Sequence, residues 1–287
     1  TYFLVLGLKF GNKVAILAAL FVAIDPWTFF SSRSVLQANV AVFFLITGVT
    51  LFFYRKKSGW FLPLSVLLIG FSLYSYHSTR IFVPLLLFIT LLIWLNEFKS
   101  AFLQKKKNYL VSAVILLAFV LPLIFVFMSS EGKARSKWVF LLDASSINKI
   151  GELRQNADLP QPIERLIYNK FSYFTVEFAK NYIGYFSPQF LFLSGGTNYQ
   201  FSVPDKGVLY PVNAPFFYLG LVSIFLAAFK KRKKEALFLI SWLFLGLIPA
   251  SMTQGQFHVI RSATIIPLPQ IFVALGLVIF WEWIKNK

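Results

Sequence analysis

Eight apolar stretches dominate this chain, each close to the about 20 residues a helix needs to cross a hydrocarbon core. They lie near residues 13–30, 35–54, 59–76, 81–96, 109–128, 215–229, 236–251 and 262–284. In lipid every backbone N–H and C=O must find a partner within the protein, so only helices or closed barrels can span. The stretches lack the period-2 alternation of barrel strands, which leaves helices. The predicted fold is therefore all-α: a polytopic transmembrane helical bundle. A 57% share of hydrophobic residues and a mean hydropathy of +0.69 agree with a chain solvated by lipid rather than water.

A formal net charge of +17 would ordinarily suggest nucleic acid as a partner. Here the cations sit in short clusters between apolar runs: Lys9 and Lys13, Arg55 to Lys57, Lys99 with Lys105 to Lys107, Lys230 to Lys234, and Lys285 with Lys287. That placement encodes topology, and no nucleic-acid partner is predicted. Lys and Arg are retained on the cytoplasmic side, so all these clusters map inside. The short loops on the other side carry single arginines, Arg33, Arg80 and Arg261, and the eight spans alternate without conflict.

The same map places residues 129–214 outside, as one large extracytoplasmic loop with nine basic and seven acidic residues. Three regions follow: an N-terminal bundle over 1–128, the outer loop over 129–214, and a C-terminal three-helix segment over 215–287. The predicted location is the plasma (inner) membrane, multi-pass. Thr1 to Leu8 reads as the tail of a truncated helix rather than a cleavable leader. With no cysteine, disulfides and thiolate metal sites are excluded.

Within the outer loop, Pro162 opens a pattern of Ile163, Leu166, Ile167, Phe171, Phe174, Phe178, Tyr182 and Tyr185 at helical spacing. One amphipathic helix is predicted, its aromatic face either packed on the loop or laid on the membrane surface. Trp60, Trp94, Trp281 and Trp283 at inner ends and Trp27 near an outer end read as interfacial anchors.

Ionisable groups at the edge of spans are costly and raise a functional hypothesis. Asp25 stands in IDPWTFFSSR, eight residues before Arg33, where the two could form a structural salt bridge. The next outer turn, LYSYHSTR, holds Tyr74, Tyr76, His77 and Arg80, and the last, QGQFHVIRSATIIPLP, holds His258 and Arg261. Three arginines and two histidines thus share one interface, and guanidinium groups match phosphate oxygens with paired donors. The alternative is that each arginine snorkels separately to lipid headgroups. No P-loop, paired-His metal signature or serine elbow is present. Two histidines cannot build a histidine-rich metal centre, so no metal ligands are assigned, although carboxylates could hold a divalent cation.

These residues carry a resemblance. DPWTFFSSR followed by QANVAVFF, then YSYHSTRIFVP, then NYIGYFSPQFLFLSGG with GVLYPVNAPFFYLGL, and finally HVIRSATIIPLPQIFVALG run in order along the chain. Together they resemble the GT-C type integral-membrane glycosyltransferases, near the dolichyl-phosphate-mannose protein mannosyltransferase and aminoarabinose transferase group. The resemblance implies transfer of a sugar from a polyprenyl-phosphate carrier to an acceptor protein, lipid or glycan at the outer membrane face. It also implies an inverting displacement with an aspartate as base and cationic groups on the carrier phosphate.

For this chain, Arg261, Arg80 and Arg33 are then the phosphate candidates, Arg261 first. His77, Tyr76, His258 and Asp25 are further binding candidates. In the family the catalytic acid lies in the first outer loop, which this chain is expected to lack, so Asp25 is not assigned that role; Gln37 stands where relatives tend to carry an acid. A lipid-linked sugar transporter or flippase would also want outer arginines and aromatic walls, and a surface polysaccharide ligase or polymerase shares the large outer loop.

Overall fold

The structure is a computed structural model that describes residues 1–33, 36–129, 140–157 and 159–287. Residue 35 of the second predicted span and residues 130–139 and 158 of the predicted outer loop lie outside the described residues. Helices α1 (Tyr2–Gly7), α2 (Asn12–Ile24), α3 (Pro26–Ser32), α4 (Gln37–Phe53) and α5 (Phe61–Ser75) lead into α6 (His77–Ile93), α7 (Leu95–Gln104) and α8 (Lys106–Met128). After residues 130–139 come α9 (Ala144–Gln155), α10 (Gln161–Ile167) and α11 (Lys170–Gly184), and then α12 (Ala214–Phe229), α13 (Lys234–Ser251) and α14 (Leu268–Lys285).

Each of the eight apolar stretches is built mainly of helix over its described residues. Among the described residues, α8, α13, α14 and α12 with its leading turn are long and apolar enough to span a membrane as single helices. The α2–α3 pair is long and apolar enough only when taken together and is bent by 54°, and α4 and α5 are shorter apolar helices. The α6–α7 pair bends by 80°, so that α6 forms the fourth stretch and α7 turns away from its axis. The molecule is a polytopic membrane bundle.

The break in the first span follows from Pro26, which has no N–H to give to the carbonyl of Val22. Lipid offers no substitute, so side chains take up the freed carbonyls: the Thr28 hydroxyl donates to the Val22 carbonyl, and Tyr210 Oη donates to the Ile24 carbonyl at 3.1 Å. The backbone N–H of Trp27 donates to the Val208 carbonyl at 3.2 Å.

Without a hydrophobic drive between helices in lipid, close packing holds the bundle together, and small residues set how near two backbones come. The α12–α14 crossing shows this. A Cβ on Gly220 would lie 1.9 Å from the Phe272 carbonyl oxygen, and one on Gly276 the same distance from that of Phe216. The most buried helix is α13, whose Phe238 and Trp242 are sealed from solvent with Phe82 of α6 and Phe272 of α14 in the same core.

Ion pairs bring the lysine clusters to one end. Lys9 pairs with Glu235 and Lys13 with Glu282, both at 3.3 Å, while Arg55, Lys56 and Lys234 gather on Glu97 at 3.2, 3.0 and 3.1 Å. Exposed pairs of this kind add little stability. They do place five separate segments of the chain at the same end of the bundle.

Three sequence expectations need correction. Trp94 and Trp27 are not interfacial anchors: each is nearly sealed from solvent, Trp94 among Phe52, Phe53 and Phe238, and Trp27 against Phe190. Both sit at helix breaks, where the turning chain folds its ring inward. Trp60, Trp281 and Trp283 are exposed as expected.

The amphipathic segment is two helices rather than one, because Asn169 starts a new one. Its side chain accepts from the N–H groups of Phe171 and Ser172, and the Ser172 hydroxyl accepts from the Asn169 N–H. The aromatic face of α11 stacks Phe174, Phe178 and Tyr182 and joins α13 through Phe186 on Phe244 and through Tyr182 Oη, 2.9 Å from the Phe244 carbonyl.

Candidate functional site

The end opposite the lysines is organised around the connection from α13 to a short 3₁₀ helix, Arg261–Ile265, that leads into α14. Distant segments hold this connection in place. The N–H of Leu141 donates to the Met252 carbonyl at 3.1 Å, Asn181 Nδ2 to that of Thr253 at 3.3 Å, and Thr197 Oγ1 to that of Gln256 at 2.8 Å. Trp27 Nε1 reaches the Val259 carbonyl at 3.2 Å. The loop at Gly195 and Gly196 lies flat on the connection because a Cβ on Gly196 would come within 2.5 Å of Val259 Cγ2 and 2.9 Å of the Phe257 carbonyl.

Phe257 adopts a left-handed φ of 58°, which disfavours a bulky residue and persists where neighbours fix it. Its ring stacks on Phe190 with centroids 5.5 Å apart. Phe257 and the next residues, His258 to Arg261, border a cavity of about 460 Å³. Tyr76, His258, Arg261 and Gln37 line it with Asn198 and Phe257. This volume is in the usual range for small-ligand sites, about 300–1,000 Å³.

Within the cavity wall, Arg261 Nη1 donates to the Gln254 carbonyl at 3.1 Å, and His258 Nε2 lies 2.7 Å from the same oxygen. A carbonyl only accepts, so Nε2 carries the proton, an assignment that follows from the partner. Burial lowers the pKa of His258, as does the Arg261 charge beside it, against the pull of the Gln254 carbonyl. His258 is therefore neutral near pH 7. Burial also lowers the pKa of Arg261, opposed by Tyr76 and Tyr185, yet a guanidinium stays charged throughout the physiological range. The buried Tyr185 hydroxyl accepts the His258 N–H at 3.0 Å and has its pKa pushed up to about 12 by burial. Among the described residues the wall thus offers one permanent cation, a neutral imidazole, phenol and amide donors and apolar rings, a set suited to an anion with an apolar or sugar appendage.

Of the seven candidates read from sequence, Tyr76, His258 and Arg261 come together here. His77 is exposed at the start of α6, its ring centroid 6.4 Å from that of Tyr76. Arg80 Nε donates back to the Leu73 carbonyl at 3.2 Å and does not line the cavity. Arg33 is exposed on the turn after α3 and is likewise not part of the lining. The expected convergence of three arginines on one pocket therefore narrows to Arg261.

Asp25 is fully buried at the α2–α3 break, and its Oδ1 accepts from Asn213 Nδ2 at 3.3 Å. Helix α3 separates it from Arg33, about 10 Å along the axis at 1.5 Å per residue, so the salt bridge considered from sequence does not form. Gln270 lies beside the same carboxyl. Asn198, Phe257 and Tyr185 were not named as site residues from sequence; their only advance signal was the Gly195–Gly196 pair before Asn198 and the Gly255 that precedes Phe257. Among the described residues, no group of three or more His, Asp or Glu side chains comes together in a way that could hold a metal ion.

No protein-family model matches the chain, and no curated protein matches it. A solved structure does. The fold is similar to that of the oligosaccharyltransferase of Archaeoglobus fulgidus in its apo form, with a TM-score of 0.50 and 16% sequence identity. The match covers 99% of this chain and 39% of that one. At this identity the likeness speaks for the fold, a membrane helical bundle, and the chain spans well under half the length of the protein it resembles.

Proposed function

We propose that this chain forms the phosphate-holding part of a membrane glycosyltransferase, which takes a sugar from a polyprenyl-phosphate carrier and passes it to an acceptor protein, lipid or glycan at the outer face of the plasma (inner) membrane. The single observation that carries this reading is the cavity lined by Arg261, His258 and Tyr76, at the bundle end remote from the lysine clusters. A carrier of this kind presents its phosphate at headgroup depth, level with loops at the end of a bundle. The order of motifs that resembles that of GT-C transferases and the likeness of fold to an oligosaccharyltransferase support the same reading.

The chemistry follows from charge. When the bond from the sugar's anomeric carbon to the carrier oxygen breaks, negative charge grows on the departing phosphate, and a fixed cation with flanking donors stabilises that charge more than the ground state. Arg261 supplies the cation. The Gln254 carbonyl holds Arg261 and His258 in register before the carrier arrives, and the ring of Phe257 gives an apolar wall for the first prenyl unit. Among the described residues no carboxylate lines this cavity, and the role assigned to the chain is stabilising the leaving group rather than deprotonating the acceptor.

The test is an assay of the protein in membranes against a panel of polyprenyl-phosphate sugars, following water-soluble or protein-bound product. Release of free polyprenyl phosphate coupled to sugar transfer supports the assignment. Vectorial movement of an intact lipid-linked sugar with no product would assign the cavity to a transporter instead.

A further inference from the structure

The lysine-rich end carries a pair of cavities that the proposed reaction does not use. The first, about 330 Å³, lies between the α4–α5 turn and the α7–α8 junction and is lined by Arg55, Lys56, Lys105, Gly59 and Asn108, with Glu97 as its one carboxylate. The second, about 720 Å³, is an apolar crevice between α5, α6 and α8, lined by residues such as Leu62, Val83, Leu116 and Phe238. Leu62 and Tyr109 belong to both walls, so the polar cavity lies directly beside the apolar one.

The crevice has a definite shape. In the half of the bundle away from the lysines, α5 and α8 meet closely: Phe119 packs against Gly70, where a Cβ would come within 2.5 Å of its ring, and Tyr74 Oη donates to the Phe119 carbonyl at 2.9 Å. At the lysine end α7, which leaves the axis of α6 at 80°, connects α6 to α8. Helix α7 is itself amphipathic. Phe98, Phe102 and Leu95 face the crevice, while Glu97 and Ser100 face the polar cavity. A helix with this division of faces, turned across the bundle beside lysines, marks the membrane–water boundary.

We propose that the adjoining cavities form a site for one anionic phospholipid of the leaflet at the lysine-rich end, its phosphate among Lys56, Lys105 and Asn108 and its acyl chains in the crevice. Charge selects the headgroup. Three cations line the polar cavity against one carboxylate, and Glu97 is itself shared by Arg55, Lys56 and Lys234, which leaves Lys105 available to an incoming anion. The guanidinium of Arg55 is fixed over the Phe52 ring, 4.1 Å from its centroid, and acts as a stationary positive wall. The apolar volume next door suits hydrocarbon and excludes a soluble anion as the full occupant. This lipid would act as a structural filler between α6 and α8, at the opposite end of the bundle from the carrier phosphate.

The test is native mass spectrometry and lipid titration of the purified protein in detergent micelles. The probes are phosphatidylglycerol, phosphatidylcholine with the same acyl chains, and inorganic phosphate alone. One tightly retained phosphatidylglycerol, favoured about tenfold over phosphatidylcholine, is expected. Lys105→Glu should abolish that preference while phosphatidylcholine binding is kept, and Ala113→Trp, which fills the crevice, should remove retention of both lipids. Equal binding of the two lipids by the parent protein overturns the proposal, as does a preference that survives both variants. Binding of inorganic phosphate as tight as that of the lipid assigns the site to a soluble anion and overturns it too. Thermal unfolding of each variant guards against misfolding; if Lys105→Glu fails to fold, Lys105→Gln gives the same reading.

Discussion

The backbone N–H of His258 donates to the buried hydroxyl of Tyr185, 73 residues earlier in the chain, at 3.0 Å. This one bond ties the end of α11 to the loop that carries Arg261. Leaving a buried donor without its acceptor costs about 1–3 kcal/mol. Tyr185→Phe should therefore lower stability by that order, and because the loop positions Arg261 it should raise KM for the carrier more than it lowers kcat. Thermal unfolding and steady-state kinetics on the same preparation check both halves.

The pH dependence of stability has a predictable sign. His258 has a folded pKa below its ordinary 6.5, so the stability it contributes is present above about pH 6.5 and is lost as pH falls through its folded value. Tyr185 is shifted the other way, to about 12, so its contribution is present below pH 10 and is lost as pH rises from 10 to about 12. The separations between the denaturation profiles of the parent, His258→Gln and Tyr185→Phe proteins should change with pH only in those two windows, on top of any constant offset. Parallel profiles throughout would remove both groups from the linkage.

The Asp25 carboxyl accepts from Asn213 Nδ2, with Gln270 beside it, in the sealed interior at the α2–α3 break, and a structural role is the one expected of it. Asp25→Ala strands the Asn213 amide and should cost about 1–3 kcal/mol, while Asp25→Asn keeps hydrogen-bonding capacity and should cost less. If Asp25→Asn instead folded normally and abolished transfer, the aspartate would belong to the chemistry.

Much of this architecture was legible in the sequence because lipid imposes its own arithmetic. Long apolar runs must be helices, and the clusters from Lys9 to Lys234 must share an end, as their pairing with Glu97, Glu235 and Glu282 bears out. Hydropathy says nothing about direction at a break, however. Trp27 and Trp94 read as interfacial residues, yet the chain turns at each and sends the ring inward. The segment after Pro162 carries unbroken periodicity, so only the capping power of Asn169 divides it. At the candidate site, charge alone grouped Arg33, Arg80 and Arg261. Which of them faces the cavity depends on backbone details, the left-handed Phe257 and the Gly196 contact with Val259, that no count of arginines contains.

Sidedness can be read directly, because the chain has no cysteine. A single cysteine replacing the exposed Lys170 should react with a membrane-impermeant maleimide on intact cells. One replacing Lys57 should react only after permeabilisation. The reverse pattern would turn the bundle over and place the Arg261 cavity in the cytosol.

The most direct measurement compares Arg261→Ala and Arg261→Lys with the parent protein for turnover of a polyprenyl-phosphate sugar in membranes, at matched expression and thermal stability. Loss of about 100-fold or more in kcat for Arg261→Ala, with only partial recovery in Arg261→Lys, is the predicted result for a guanidinium bound to the departing phosphate. Turnover of Arg261→Ala equal to that of the parent would contradict it.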